Sequence, residues 1–417
     1  MEINVVDIIM GGGKTSAAKN FINNSSKDQK FMYVTPYLDE VKKLIADCPS
    51  KHFKEPRQYN KNMSKIIDLK KLLNDGENIA TTHVLFHLFD DEIIDLCYSQ
   101  GYILIMDEVT DVIEPHPMDK RDLQMLLDHC VSIKENGLLE WTGDETYYGK
   151  FQDEKRLCEM ECLAMYGDTV MMWLFPVKIF KAFRESYILT YMFRAQMQKY
   201  YYDFYGMKYH YLYVRGNIED GFYFTEEMIN VRPKYDYREL ITIFDDSKLN
   251  MIGDADTALS KTWYMRNKDN VLLKQLKDNT LNFFCNKPTV YDAKTGKWKK
   301  SWSKNNIWTT FKDYQSIISG KGYATGYLPS NMRASNDYGD RSVIAYLVNK
   351  YFNPLVKMFF TRYGVEVYED DYAISEMLQF IWRSAIRNGK HITVYIPSRR
   401  MRDLLIKWIN EQEYEEK

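Results

Sequence analysis

A chain of 417 residues exceeds one small domain, and ordinary domain sizes put two or three in it. With 45% hydrophobic, 15% aromatic and 27% charged residues it has enough apolar material for cores and enough charge for solubility, which excludes a disordered or fibrous chain. Its 56 basic and 58 acidic residues leave a net charge of −2, so any surface for nucleic acid has to be local. No apolar run approaches the roughly 20 residues that cross a bilayer; even Val170 to Val177 is interrupted by Pro176, and no membrane partner is expected. The opening Met-Glu-Ile-Asn-Val-Val-Asp lacks the basic start and apolar stretch of a secretory signal, so a cytoplasmic location with reduced thiols is expected, the host cytoplasm for a phage-encoded chain. The six cysteines form no Cys-x-x-Cys pair, and His83 and His87 lack the following Glu of a zinc protease, so neither set is read as a metal site.

The predicted elements begin with a buried strand from Ile3 to Ile9, a glycine cluster, and a helix from Ser16 to Ile22. Apolar runs at Phe31–Val34, Ile79–Thr82 and Tyr102–Met106, separated by Lys/Asp-rich helical stretches, predict a parallel sheet of an α/β fold. Pro117 to Arg184 reads as a mostly helical insertion. A strand at Tyr187–Tyr191 and an aromatic helix from Ala195 to Tyr205 then close a first lobe spanning residues 1–205. A second lobe, 206–417, opens near Tyr209–Val214, with strands at Asn306–Thr310, Gly322–Gly326 and His391–Ile396 and a basic, aromatic hairpin at about 290–305. The tyrosine-rich stretch Tyr200–Tyr205 is read as lobe-packing core in preference to a stacking platform.

The strongest local signal is Gly11-Gly12-Gly13-Lys14-Thr15-Ser16, at a strand-to-helix junction. Glycines let the backbone curl so that its N–H groups face a β-phosphate, Lys14 brings positive charge to the β/γ-phosphates, and the Thr15 hydroxyl can ligate Mg2+. The longer form of this motif has a further glycine five positions before Gly13, where Ile8 stands. Next, the strand ending at Met106 delivers Asp107 and Glu108, a pair in which the first carboxylate can hold the metal and the second polarise a water. That pair suits hydrolysis of ATP rather than binding alone. Near the C-terminus Gln379, Arg383 and Arg387 recur every four residues, which puts them on one face of a predicted helix, either aimed at a developing phosphate charge or forming a solvated basic face. Between Lys294 and Lys304, lysines alternate with tryptophans: Lys297, Trp298, Lys300 and Trp302 can neutralise phosphates and stack on bases, or form a lysine-rich turn at Thr295-Gly296.

In this order the motifs resemble the superfamily 2 helicases of the DEAD/DEAH-like class, especially compact bacteriophage and origin-binding replication helicases, over nearly the whole chain. The resemblance implies two RecA-like parallel-sheet lobes in tandem and an ATP-dependent, Mg2+-requiring motor on nucleic acid, with single-stranded or forked DNA favoured over RNA and replication proteins as further partners. It implies strand contacts at Thr35 and Pro36, at Thr82 and His83, at Thr310 within Trp308–Phe311, and at Arg333 within Arg333–Arg341, with Leu189-Thr190-Tyr191 in the place of the coupling motif. Two departures stand out. The family's Gln-x-x-Gly-Arg-x-x-Arg has Trp382 for the glycine and Arg387 one residue late, which leaves open whether Arg383 or Arg387 reaches the γ-phosphate. Only a handful of residues precede the phosphate loop, so weak base selectivity is expected. The alternative function is an ATP-switched loader or adaptor that binds replication partners without unwinding. Clustered acids of a packaging-type nuclease are not seen, and a small kinase would have no second lobe.

Overall fold

The computed structural model describes residues 2–58, 64–167, 169–228, 233–268, 270–292, 295–330 and 338–412. It divides into two units, Met1–Ile229 with Asn353–Tyr368, and Asn230–Phe352 with Glu369–Lys417.

In the first unit, strands β1 (Glu2–Asp7), β2 (Phe31–Thr35), β3 (Ile79–Thr82) and β4 (Ile103–Asp107) precede an inserted region containing β5 (Ile113–Pro115), β6 (Val131–Ile133), β7 (Leu139–Trp141), β8 (Leu163–Tyr166) and β9 (Val170–Leu174). Strands β10 (Glu185–Thr190), β11 (His210–Asn217) and β12 (Gly221–Thr225) follow. The main sheet has the order β12-β11-β1-β10-β4-β2-β3, parallel throughout except for the antiparallel β11–β12 hairpin. Every residue of β2 and β4 is buried, the pattern of strands covered on both faces, which is why they read as continuous apolar runs without alternation. Helix Lys14–Asn24 buries Ala17, Ala18 and Ile22 against Val6, Tyr33 and Leu189 of the sheet core. Small residues at the first two of these positions let the helix approach closely, and burying Ile22 contributes about 1.5–3 kcal/mol.

Three expectations are corrected in this unit. The insertion is mixed rather than mostly helical: β5, β9 and β8 form an antiparallel sheet, β6 and β7 a hairpin, packed with helices Lys120–His129 and Gln152–Glu159 around Leu126, Leu139, Leu163 and Met171. Short apolar runs such as Leu163–Tyr166 carry no periodicity that separates strand from helix. The boundary near residue 206 also moves, because Tyr211 and Leu212, expected to open the second lobe, pair in parallel with Val5 and Val6. Finally, the chain returns to this unit at Asn353–Tyr368, where helix Pro354–Arg362 lies with Phe359 5.1 Å from Phe204 and Tyr363 Oη donating to the Met165 carbonyl at 2.8 Å.

The second unit contains β13 (Ile241–Ile243), the hairpin β14 (Pro288–Asp292) and β15 (Lys297–Lys300), then β16 (Asn306–Thr309), β17 (Val343–Tyr346) and β18 (Ile392–Tyr395). Its four-stranded parallel sheet runs β13-β18-β17-β16 over a core with Leu276, Phe283, Trp308 and Tyr395. The strand expected at Gly322–Gly326 is a turn leading into a short 3-10 helix, Ala324–Gly326, because Gly322 takes φ +90°, outside the extended region. The place beside β16 belongs to β17, a run of four buried residues.

Candidate functional site

Because β1, β10, β4, β2 and β3 are parallel, their carboxyl ends share one edge of the sheet. That edge carries the Gly11–Ser16 loop after β1, Thr190 at the end of β10 with Tyr191 beyond it, Asp107 at the end of β4 with Glu108 beyond it, Thr35 at the end of β2 with Pro36 beyond it, and Thr82 at the end of β3 with His83 beyond it. Ligands of open α/β sheets bind at this edge.

The loop earns its glycines individually. Gly11 and Gly13 take φ of +82° and +87°, a region that L side chains rarely enter, and a Cβ on Gly12 would stand 3.0 Å from the Ile9 carbonyl oxygen. Gly13 caps helix Lys14–Asn24 with no side-chain hydrogen bond to its first turn, so the helix start keeps backbone donors and the positive end of its dipole at the loop. Lys14 is 8% exposed and its Nζ donates to the Ile8 carbonyl at 2.6 Å. Ser16, the last of the six, is exposed.

Across the edge, Asp107 Oδ2 accepts from Tyr33 Oη at 2.7 Å and from Thr15 Oγ1 at 3.4 Å. Burial pushes the Asp107 carboxyl above its ordinary range, opposed by the Tyr33 hydroxyl, the Lys14 charge and the Thr15 hydroxyl. Glu108 stands at φ +68°, a left-handed conformation that costs a glutamate about 1–3 kcal/mol. Its backbone N–H donates to the Leu189 carbonyl at 2.9 Å, which ties the end of β4 to that of β10. On the other side Asp7, also raised by burial, accepts the Phe193 N–H at 2.8 Å and feels Lys14 and Arg194. The chemistry of this set suits a magnesium-bound nucleotide: hard oxygen donors at Thr15 and Asp107, an ammonium at Lys14, uncapped backbone donors, and a half-buried carboxylate at Glu108 beside them. Among the described residues no group of three or more His, Cys, Asp or Glu could hold a metal by itself.

The remaining expected contacts divide. Thr35 is fully buried and its Oγ1 has no hydrogen-bond partner, whereas Pro36, Thr82 and His83 are half-buried at the edge. In the second unit Thr310 is 1% exposed and gives its hydroxyl proton to Tyr264 Oη at 3.0 Å, so in this arrangement it faces the core instead of a strand. Arg333 and Lys294 lie outside the described residues. Lys297 and Lys300 are exposed on β15, with Trp298 42% and Trp302 73% exposed; Trp298 contacts Tyr291 and His391 at 5.3 and 5.5 Å between ring centres. The stretch from Tyr200 to Tyr202 is fully buried.

The three polar residues near the C-terminus do not share a helix face. Helix Glu369–Ile381 carries the half-buried Gln379 but ends before Arg383, and Arg387 sits in a separate 3-10 helix, Ala385–Asn388. The Trp382 N–H still reaches the Leu378 carbonyl, but from Arg383 the backbone bonds tighten to i−3, and the Ala385 N–H is taken by the Arg341 carbonyl at 2.8 Å. Arg383 is 5% exposed, lies over Phe380 and donates to the Pro329 carbonyl at 3.3 Å; Arg387 is exposed. Tyr33 and Asp7 escaped the sequence reading because each sits in a run that reads simply as buried strand.

Residues 235–409 match the profile of the YonV C-terminal Rossmann-like domain, and residues 113–173 that of the YonV middle domain. Over 420 residues the chain is 38% identical to the SPbeta prophage-derived uncharacterized protein YonV of Bacillus subtilis (strain 168), covering 98% of this chain and 99% of that protein. Among solved structures, S. tokodaii Xpd4 overlaps with a TM-score of 0.42 at 9% identity, over 98% of this chain and 94% of its own. The DUF1998 helicase MrfA bound to DNA and AMPPNP overlaps with a TM-score of 0.32 at 10% identity, over 99% of this chain and 49% of its own.

Proposed function

The chain belongs to the YonV family, and for this member we propose, from the residues gathered at its sheet edge, an ATP hydrolase of the helicase type that moves along nucleic acid, DNA in preference to RNA, in phage replication or recombination in the host cytoplasm. The observation that carries this reading is the meeting of Lys14, Thr15 and Asp107 at the carboxyl edge of a parallel sheet, with Glu108 held in a left-handed backbone beside them. On ATP entry, Lys14 exchanges the Ile8 carbonyl for phosphate oxygens, and the loop N–H groups take the rest of that charge. Thr15 and Asp107 would hold Mg2+, which supplies charge neutralisation between the phosphates. Glu108 orients the attacking water and accepts its proton. Arg387, exposed in the second unit, fits the role of the transition-state arginine better than the buried Arg383. The exposed Lys297, Trp298, Lys300 and Trp302 fit phosphate neutralisation and base stacking.

The test is Mg2+-dependent ATP hydrolysis measured alone and with single-stranded DNA, forked DNA or RNA. Stimulation by a strand is expected, with turnover lost in Lys14→Ala, and lost in Glu108→Gln while ATP binding persists. No hydrolysis under any condition refutes the enzyme. Hydrolysis indifferent to every strand replaces the motor with an ATP-switched adaptor.

A further inference from the structure

Strand β12 forms one edge of the main sheet and lies on helix Lys14–Asn24, where Asn20 Nδ2 donates to the Phe222 carbonyl at 2.9 Å. Phe222 and Phe224 point to the same face of the strand, as residues two apart do. Phe224 is the anchor: its ring stacks on Tyr187 at 5.4 Å with an interplanar angle of 15°, and it lies 6.0 Å from Phe21 of the helix. Phe222 stays half-buried and is brought to the phosphate loop, where its ring would lie 2.7 Å, at Cε1, from a Cβ built on Gly13. A flat aromatic surface, fixed at both its backbone and its neighbour, therefore borders the last glycine of the loop.

We infer that Phe222 is the nucleobase-facing wall of the nucleotide site, stacking the base of the nucleoside triphosphate whose phosphates the loop from Gly11 to Thr15 holds. This rests on the phosphate-site reading above and adds the part of the substrate that reading leaves unassigned. The ring offers no hydrogen-bonding edge, and stacking is tolerant of base identity. The ligand class is accordingly a nucleoside triphosphate recognised with little discrimination between bases. Gly13 is required twice over, by its positive φ and by the ring beside it.

The experiment compares two ligands that share phosphates and differ in the base. Titration calorimetry with Mg2+ measures affinity for ATP and for inorganic tripolyphosphate in the parent chain, in Phe222→Leu and in Phe222→Trp. Phe222→Leu should weaken ATP about tenfold and change tripolyphosphate by less than about twofold, and Phe222→Trp should restore ATP. Unchanged ATP affinity, or an equal loss for both ligands, overturns the inference. Should the leucine variant fail to fold, Phe222→Trp decides alone: its emission, taken against the parent, must respond to ATP and not to tripolyphosphate, and an equal response to both overturns the assignment. A parent chain that binds neither ligand fails the phosphate-site reading itself, a result visible before any variant is made.

Discussion

Asp107 carries opposing demands on one carboxylate. It is buried, which disfavours its charge, yet it can serve a metal only when ionised, and the hydroxyl of Tyr33 holds one oxygen in place at 2.7 Å. Tyr33 is itself 1% exposed and has no evident task other than packing and this bond. Phe at this position keeps the ring and removes the orienting donor, so Tyr33→Phe should raise the Mg2+ concentration needed for half-maximal hydrolysis by about 10-fold or more, as losses of such supporting partners generally do. Hydrolysis followed against Mg2+ concentration checks this; an unchanged requirement with unchanged turnover would mean that Tyr33 only packs. Position 33 lies in a stretch legible as a buried strand, but nothing along Phe31–Val34 tells a tyrosine bonded to the Asp107 carboxylate from one that fills space. The partner is 74 residues away.

At the scale of elements, helix Pro354–Arg362 packs on the first unit although it follows much of the second in the chain. Phe359 and Phe360 are fully buried, Phe359 against Phe204 at 5.1 Å and Phe360 against Tyr200 at 5.8 Å, and Tyr200 Oη accepts the Tyr368 N–H at 2.9 Å. The aromatic helix Met197–Phe204 is thus covered by a segment that arrives some 150 residues later in the chain. Phe359→Ala should destabilise the first unit by about 3–5 kcal/mol, the range for truncating a buried phenylalanine. Denaturant unfolding reads the change, and a loss below about 1 kcal/mol would show that the segment is dispensable. For the same reason residues 1–205 do not constitute a complete unit, whatever their local patterns suggest.

For the whole molecule, the motor reading requires that hydrolysis at the first unit's loop depend on an arginine of the second. Arg387→Ala should cut strand-stimulated turnover by roughly 10²-fold or more while ATP binding changes far less, the signature of a group used in the transition state. Arg383→Ala should instead lower stability, since the side chain is buried over Phe380 and bonded to the Pro329 carbonyl. Steady-state turnover with and without DNA, beside a melting curve for each variant, separates the two roles. A full stimulated rate in Arg387→Ala would remove this arginine from the mechanism.

Part of what adjacent residues encode was legible, although the strands of the insertion and the turn at Gly322 were not. The glycines before Lys14 and Thr15, the apolar strands that run into Asp107 and Glu108, and the parallel α/β alternation follow from spacing, because backbone curvature, strand burial and helix starts are local properties. Tertiary structure decided what lies far apart in the chain. It brought Thr15 to Asp107 across 92 residues and Asn20 to Phe222 across 202, gave the hairpin of β11 and β12 to the first sheet, and let the Arg341 carbonyl capture the Ala385 N–H where a helix had been expected to continue. Those outcomes depend on which strand pairs with which and on where each freed backbone group finds its hydrogen bond, and both are settled only when the sheets assemble.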